Sequence, residues 1–195
     1  VLWSVGDAPR TAHPVDVDAD GVPEVLLFGD DGLTLVTATG DVLYEAREPG
    51  GIGHRLRRLG AIADLDGDGY PDFANVGLGA IAAFRLGPLE PELLWSVTAG
   101  TAANTYRASA FAWEVDSPAD VLASPQWVVR SYTGEGDPRF TMAPPLGPAA
   151  SSANLDAIVA DVDNDGSADV VVLHLDFKSS AQVHVYEDAR TRPSP

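Results

Sequence analysis

The chain has 195 residues, 29 of them acidic and 12 basic, for a formal net charge of −17. Such a surface repels nucleic acid and anionic membranes and attracts cations. There is no cysteine, which excludes disulfides and zinc–thiolate sites, and no run reaches the ~18 apolar residues of a membrane-spanning helix.

The length suits one domain with a substantial core. With 19 Gly and 15 Pro, few ten-residue stretches escape a breaker, so long helices are not expected. The sequence lacks an initiating Met and a signal-like start, and it reads as a mature or excised piece.

Residues 1–5, VLWSV, come before any motif. The acidic cluster DVDADGVPEV then begins at Asp16, followed by strand-like runs: EVLLFGD at 24–30, LTLVTAT at 33–39 and VLYEA around Tyr44. Asp31-Gly32 and Gly40-Asp41 have hairpin-turn chemistry. The connector PGGIGHRLRR at 49–58 gathers His54, Arg55, Arg57 and Arg58 on an otherwise acidic chain. These four form a candidate site for gripping a carboxylate on a sugar or a protein. The plainer expectation is that they pair with neighbouring acids.

The next unit runs LGAIADL at 59–65, DLDGDGYPDF from Asp64, a Leu78-Gly79 turn, IAAFRL at 81–86 and LLWSV at 93–97. After the polar connector at 98–106 comes WEVDSPADVLAS. There Glu114, Asp116 and Asp120 read as a shortened relative of the cluster, without its glycine. QWVVRSY at 126–132 and RFTM with Phe140 follow. A second long connector at 144–154 leads to LDAIVADV, the cluster DVDNDGSADV from Asp161, then DVVVLHL at 169–175 and QVHVYED at 182–188. Runs of 5–8 β-branched or aromatic residues bounded by Gly, Asp and Pro are strands.

The clusters start 48 and then 97 residues apart, so a unit of about 48 residues repeats four times. Four short antiparallel strands per unit describe a propeller blade. The expected fold is therefore all-β: a β-propeller of four blades, at about 11–47, 58–98, 106–143 and 155–188. The last unit is one strand short. VLWSV nearly duplicates the fourth-strand sequence LLWSV, so residues 1–5 are expected to pair with the strand around Val183–Tyr186 and close the ring. An excised part of a longer propeller is the competing expectation.

In each full cluster the acids stand at positions 1, 3, 5 and 9, where their oxygens can converge. Position 6 is Gly (Gly21, Gly69, Gly166), and position 7 varies (Val22, Tyr70, Ser167), as expected if only its carbonyl is used. All-oxygen ligands select a hard cation, and five or so of them plus water favour calcium over magnesium. Position 12 carries Leu27, Asn75 or Val172 instead of the EF-hand glutamate, so the ninth-position acid must complete the site. Three ions are expected, with Glu114–Asp120 empty. They would return +6 and bring the formal charge from −17 to −11.

These clusters resemble the calcium loops of FG-GAP/VCBS repeats, which build the propellers of integrin α-subunits, fungal lectins and many secreted bacterial proteins. The Phe-Gly pair that names the family has its nearest echo in Leu59-Gly60. The resemblance implies that Asp16, Asp18, Asp20, Glu24, Asp64, Asp66, Asp68, Asp72, Asp161, Asp163, Asp165 and Asp169 ligate calcium, with carbonyls from Val22, Tyr70 and Ser167. It also implies an extracellular or cell-surface location and a role in adhesion or carbohydrate recognition.

No nucleophile elbow, phosphate loop, zinc-protease helix or dinucleotide fingerprint occurs. His174 and His184 sit in expected strands, His13 precedes Pro14 near the first strand, and all three read as structural. Trp3, Trp95, Trp113 and Trp127 read as core before sugar platforms. The expected function is a non-catalytic extracellular binding or adhesion module with a glycan or protein ligand. The alternative is a scaffold or substrate-binding part of a larger secreted polysaccharide-degrading enzyme.

Overall fold

The computed structural model describes residues 11–29, 32–47, 58–76, 80–87, 89–98, 105–112, 118–125, 128–142, 154–175 and 181–187. Among them every regular element is a strand. The first antiparallel sheet, in spatial order, is β1 (Thr11–Val15), β2 (Glu24–Gly29), β3 (Gly32–Val36) and β4 (Val42–Ala46). The second is β5 (Arg58–Ala63), β6 (Asp72–Val76), β7 (Ala80–Arg85) and β8 (Glu92–Thr98). The third is β9 (Thr105–Phe111), β10 (Asp120–Pro125), β11 (Val129–Tyr132) and β12 (Pro138–Met142). The fourth has three strands, β13 (Asn154–Ala160), β14 (Asp169–Leu175) and β15 (Ala181–Tyr186).

The patterning explains each strand's place. β7, AIAAFR, is buried along nearly its whole length, as a strand covered on both faces must be. In β4 and β8 the exposed positions are interrupted by one buried aromatic, Tyr44 or Trp95. Two hairpins share a Thr-x-x-Gly-Asp turn. In one, Gly40 N donates to Thr37 O (3.0 Å) and Thr37 N to Asp41 O (2.9 Å); in the other, Gly136 N donates to Thr133 O (2.9 Å) and Thr133 N to Asp137 O (2.8 Å). Gly40 and Gly136 have φ of 95° and 89°, which a side chain would strain.

Successive sheets share their cores. Phe28 of the first sheet meets the edge of Phe73 in the second at a centroid distance of 5.5 Å, and Phe73 stacks on Phe84 at 4.8 Å. The second and third sheets join through Leu65, Ile81, Trp95, Val121 and Tyr132. The third and fourth join through Leu122, Val129, Phe140, Val170 and Val172. The register is regular. An acid opens the second strand of each sheet (the inner acid: Glu24, Asp72, Asp120 or Asp169); the residue after it packs backward (Phe73, Val121, Val170), and the next packs forward (Leu26, Ala74, Leu122).

In the fourth sheet the corresponding forward face carries Val171 and Leu173, half-buried, and Ile158, Val183 and Val185, exposed. Among the described residues no buried cluster joins the fourth sheet to the first. The expected closing strand, residues 1–5, lies outside the described residues, so the ring closure read from the sequence has no counterpart among them. Among the described residues, the all-β class and the four antiparallel sheets, with three strands in the last, agree with the sequence reading.

Candidate metal centre

Each full acidic cluster links the first strand of a sheet to the second. Backbone N–H groups organise it. Asp16 accepts from Asp20 N (3.1 Å) and Gly21 N (2.9 Å). Asp64 accepts from Gly67 N (2.7 Å) and Gly69 N (3.0 Å). Asp161 accepts from Asp165 N (3.1 Å) and Gly166 N (3.0 Å). The chain can turn its amides inward because Gly21, Gly69 and Gly166 have φ of 84°, 88° and 86°. The preceding left-handed position holds Ala19, Gly67 or Asn164, at 58°, 81° and 61°. The sequence pattern shows the glycine at position 6. The second left-handed residue is masked by the alanine in the first copy.

The fifth-position acids cap their own turns. Asp20, Asp68 and Asp165 each accept, through Oδ1, from the amide two residues on: Val22, Tyr70 and Ser167, at 2.7, 2.9 and 2.7 Å. Val22 and Tyr70 are exposed, and Ser167 is half-buried. The ninth-position acids are buried at the mouth of the second strand and bind back to the loop. Val17 N donates to Glu24 (3.1 Å), Leu65 N to Asp72 (2.9 Å) and Val162 N to Asp169 (3.0 Å).

Three acid groups converge. Asp16, Asp18 and Glu24 can bring one carboxylate oxygen each within 4.8 Å of one another, as can Asp64, Asp66 and Asp72, and Asp161, Asp163 and Asp169. Each set can hold a metal ion. Positions 1, 3 and 9 form these sets; the expected ligands at position 5, Asp20, Asp68 and Asp165, are not among them. In the second loop Asp72 is fully buried, and its Oδ1 has no hydrogen-bond partner. Burial pushes its carboxyl up to about 6. The charges of Asp66 and Asp68 act in the same direction, against the stabilising Leu65 and Asp66 amides. A buried carboxylate oxygen with no donor fits a cation aimed at the loop.

The third repeat solves the same problem differently. Asp120 opens β10 as Glu24, Asp72 and Asp169 open β2, β6 and β14, and it is equally buried. The Arg139 guanidinium from β12 pairs with it. This repeat thus places a side-chain cation on its inner acid. Glu114 and Asp116 lie outside the described residues. Sequence reading missed Arg139 because its partner is 19 residues away and two strands across.

Of the candidate ligand-gripping residues, His54, Arg55 and Arg57 lie outside the described residues; Arg58 starts β5, where only its backbone is described. Trp95 is a core residue: it donates to Gly134 O (2.6 Å) and faces Tyr132. Trp3, Trp113 and Trp127 lie outside the described residues.

No curated protein matches the sequence. Among solved structures, the Vibrio (V.) cholerae biofilm matrix protein Bap1 is similar with a TM-score of 0.58 and 17% identity, over 89% of this chain and 26% of that one. The rhamnogalacturonan lyase YesW is similar with a TM-score of 0.59 and 16% identity, over 89% and 41%. The chain therefore spans well under half of either protein, and at these identities the likeness is one of fold. Residues 116–172 match the model of the FG-GAP-like repeat, and by that match the chain carries a repeat of the FG-GAP family.

Proposed function

We propose that the chain is a calcium-stabilised β-propeller segment serving as an extracellular binding module without catalysis of its own. The observation that carries this reading is the threefold recurrence of one loop geometry, with a buried Asp72 oxygen left without a donor in the second copy. Asp16, Asp18 and Glu24, with their counterparts in the second and fourth sheets, would hold the ions, and Asp20, Asp68 and Asp165 stand next to each set. A divalent cation would supply charge neutralisation among carboxylates that otherwise repel, so occupancy is coupled to folding.

Millimolar extracellular calcium suits loops of this type, which supports a location outside the cell. The likeness to a biofilm matrix protein supports a ligand of matrix type, a glycan or a secreted protein. Calorimetric titration should find about three calcium ions per chain, and chelation should lower the melting temperature. Equal melting curves with calcium and with chelator would sink the reading.

A second reading follows from the likeness to YesW: the chain could serve as a substrate-holding part of a larger polysaccharide-degrading enzyme. A glycan array combined with a turnover screen separates the two. Binding without turnover supports the module, and turnover supports the enzyme part.

A further inference from the structure

Among the described residues, the second loop is the one with a guanidinium laid across it. Arg85 ends β7 and is paired in register with Asp72 on one side and Glu92 on the other. Its Nη2 donates to Asp66 Oδ2, and its Nε lies 3.3 Å from Asp68 Oδ2. One step beyond the last paired residues of the other sheets stand Thr37, Thr133 and Glu187, none of them cationic.

The arginine is an incomplete occupant. Its Nε has no hydrogen-bond acceptor, and the deeper Asp72 Oδ1 has no donor. A guanidinium is planar and too broad to reach all three converging carboxylates, whereas a small spherical cation can. Asp66 belongs both to the ion pair and to the converging set of Asp64, Asp66 and Asp72. Arginine and metal therefore compete for the same carboxylate. A second partner is ready: Glu92 Oε2 lies 3.9 Å from Arg85 Nη1 and is mostly exposed.

We propose that Arg85 is the resident counter-ion of the second loop, displaced onto Glu92 when a divalent cation enters, and that it holds this loop's affinity below that of the other two. The inference rests on the calcium reading above and assigns one loop a regulated affinity. The first and last loops fill first. The second fills later, with an arginine released to the surface beside Glu92.

The test is calorimetric titration of calcium chloride into the wild-type chain, Arg85→Gln and Glu92→Gln, with thermal melts of each in chelator and in excess calcium. The wild type should show two tighter sites and one weaker. Arg85→Gln should tighten the weak site about tenfold, and Glu92→Gln should loosen it. Arg85→Gln should melt below the wild type in chelator and level with it in excess calcium. Three affinities unchanged by Arg85→Gln would overturn the proposal and leave the calcium reading standing, and so would an equal drop in melting temperature under both conditions. A wild-type chain that takes up no calcium at all would overturn both.

Discussion

Arg139, on the outer strand of the third sheet, pairs with Asp120, the buried acid that opens that sheet's second strand. The pair stands where the other three sheets place an acid facing a full acidic loop. Removing the cation leaves a carboxylate poorly solvated in a low-dielectric setting. Arg139→Met should therefore destabilise the fold by about 2 kcal/mol, less than a fully buried pair because Arg139 is half exposed. Urea unfolding checks this. Calcium stoichiometry should not change.

The ninth-position acids should control occupancy one site at a time. Glu24→Gln, Asp72→Asn and Asp169→Asn should each lower the calorimetric stoichiometry by one and leave the remaining sites filled. Each site saturated a hundredfold above its dissociation constant adds ~2.7 kcal/mol of stability, and each variant should lose that increment in excess calcium.

Metal-free protein should respond to pH through Asp72. Its carboxyl is raised from 3.8 to about 6, chiefly by burial. Between those values the folded chain holds a proton that the unfolded chain has lost. Stability of the metal-free chain should therefore fall as pH rises through that window. Asp72→Asn should flatten the slope, as read by chemical denaturation in chelator at several pH values.

Phe73 is the junction of the first two sheets. It is fully buried between Phe28 and Phe84. Phe73→Ala should cost ~3–5 kcal/mol, read by denaturant midpoint, because it leaves a cavity that two sheets would have to close together.

Gly134 has no room for a side chain: a Cβ there would stand 1.5 Å from Leu65 O. Leu65 lies within the second acidic loop. Gly134→Ala should destabilise by ~1–3 kcal/mol and weaken calcium uptake at that loop alone, as seen by calorimetry.

Much of this architecture is legible in the sequence because it repeats. The period of about 48 residues, the glycine at position 6 and the run of apolar residues after each inner acid are local signals, and each copy corroborates the others. The run IAAFRL reads as a strand from its residues, while its coverage on both faces is a property of the fold. What stays hidden is long-range. Arg85 looks like an ordinary polar end to a strand until the hairpin brings it back over Asp66. Arg139 looks like a surface residue until β12 lies two strands from Asp120. The recurrence of Thr37–Asp41 as Thr133–Asp137 is faint in the sequence because only the threonine, one glycine and the aspartate are shared.

One backbone contact bears on how this chain can be divided. Ala119 N, just before β10 of the third sheet, donates to Asp64 O, the first residue of the second sheet's loop, at 2.9 Å. Pro118 leans on Gly67 in that same loop, so a Cβ there would meet Pro118 at 3.0 Å. The second acidic loop is thus shaped partly from outside its own repeat. A single unit cut at its sequence borders would carry every acid of that loop and still lack the wall that holds them in shape. Two adjoining units, not one, are the smallest fragment in which that loop is whole.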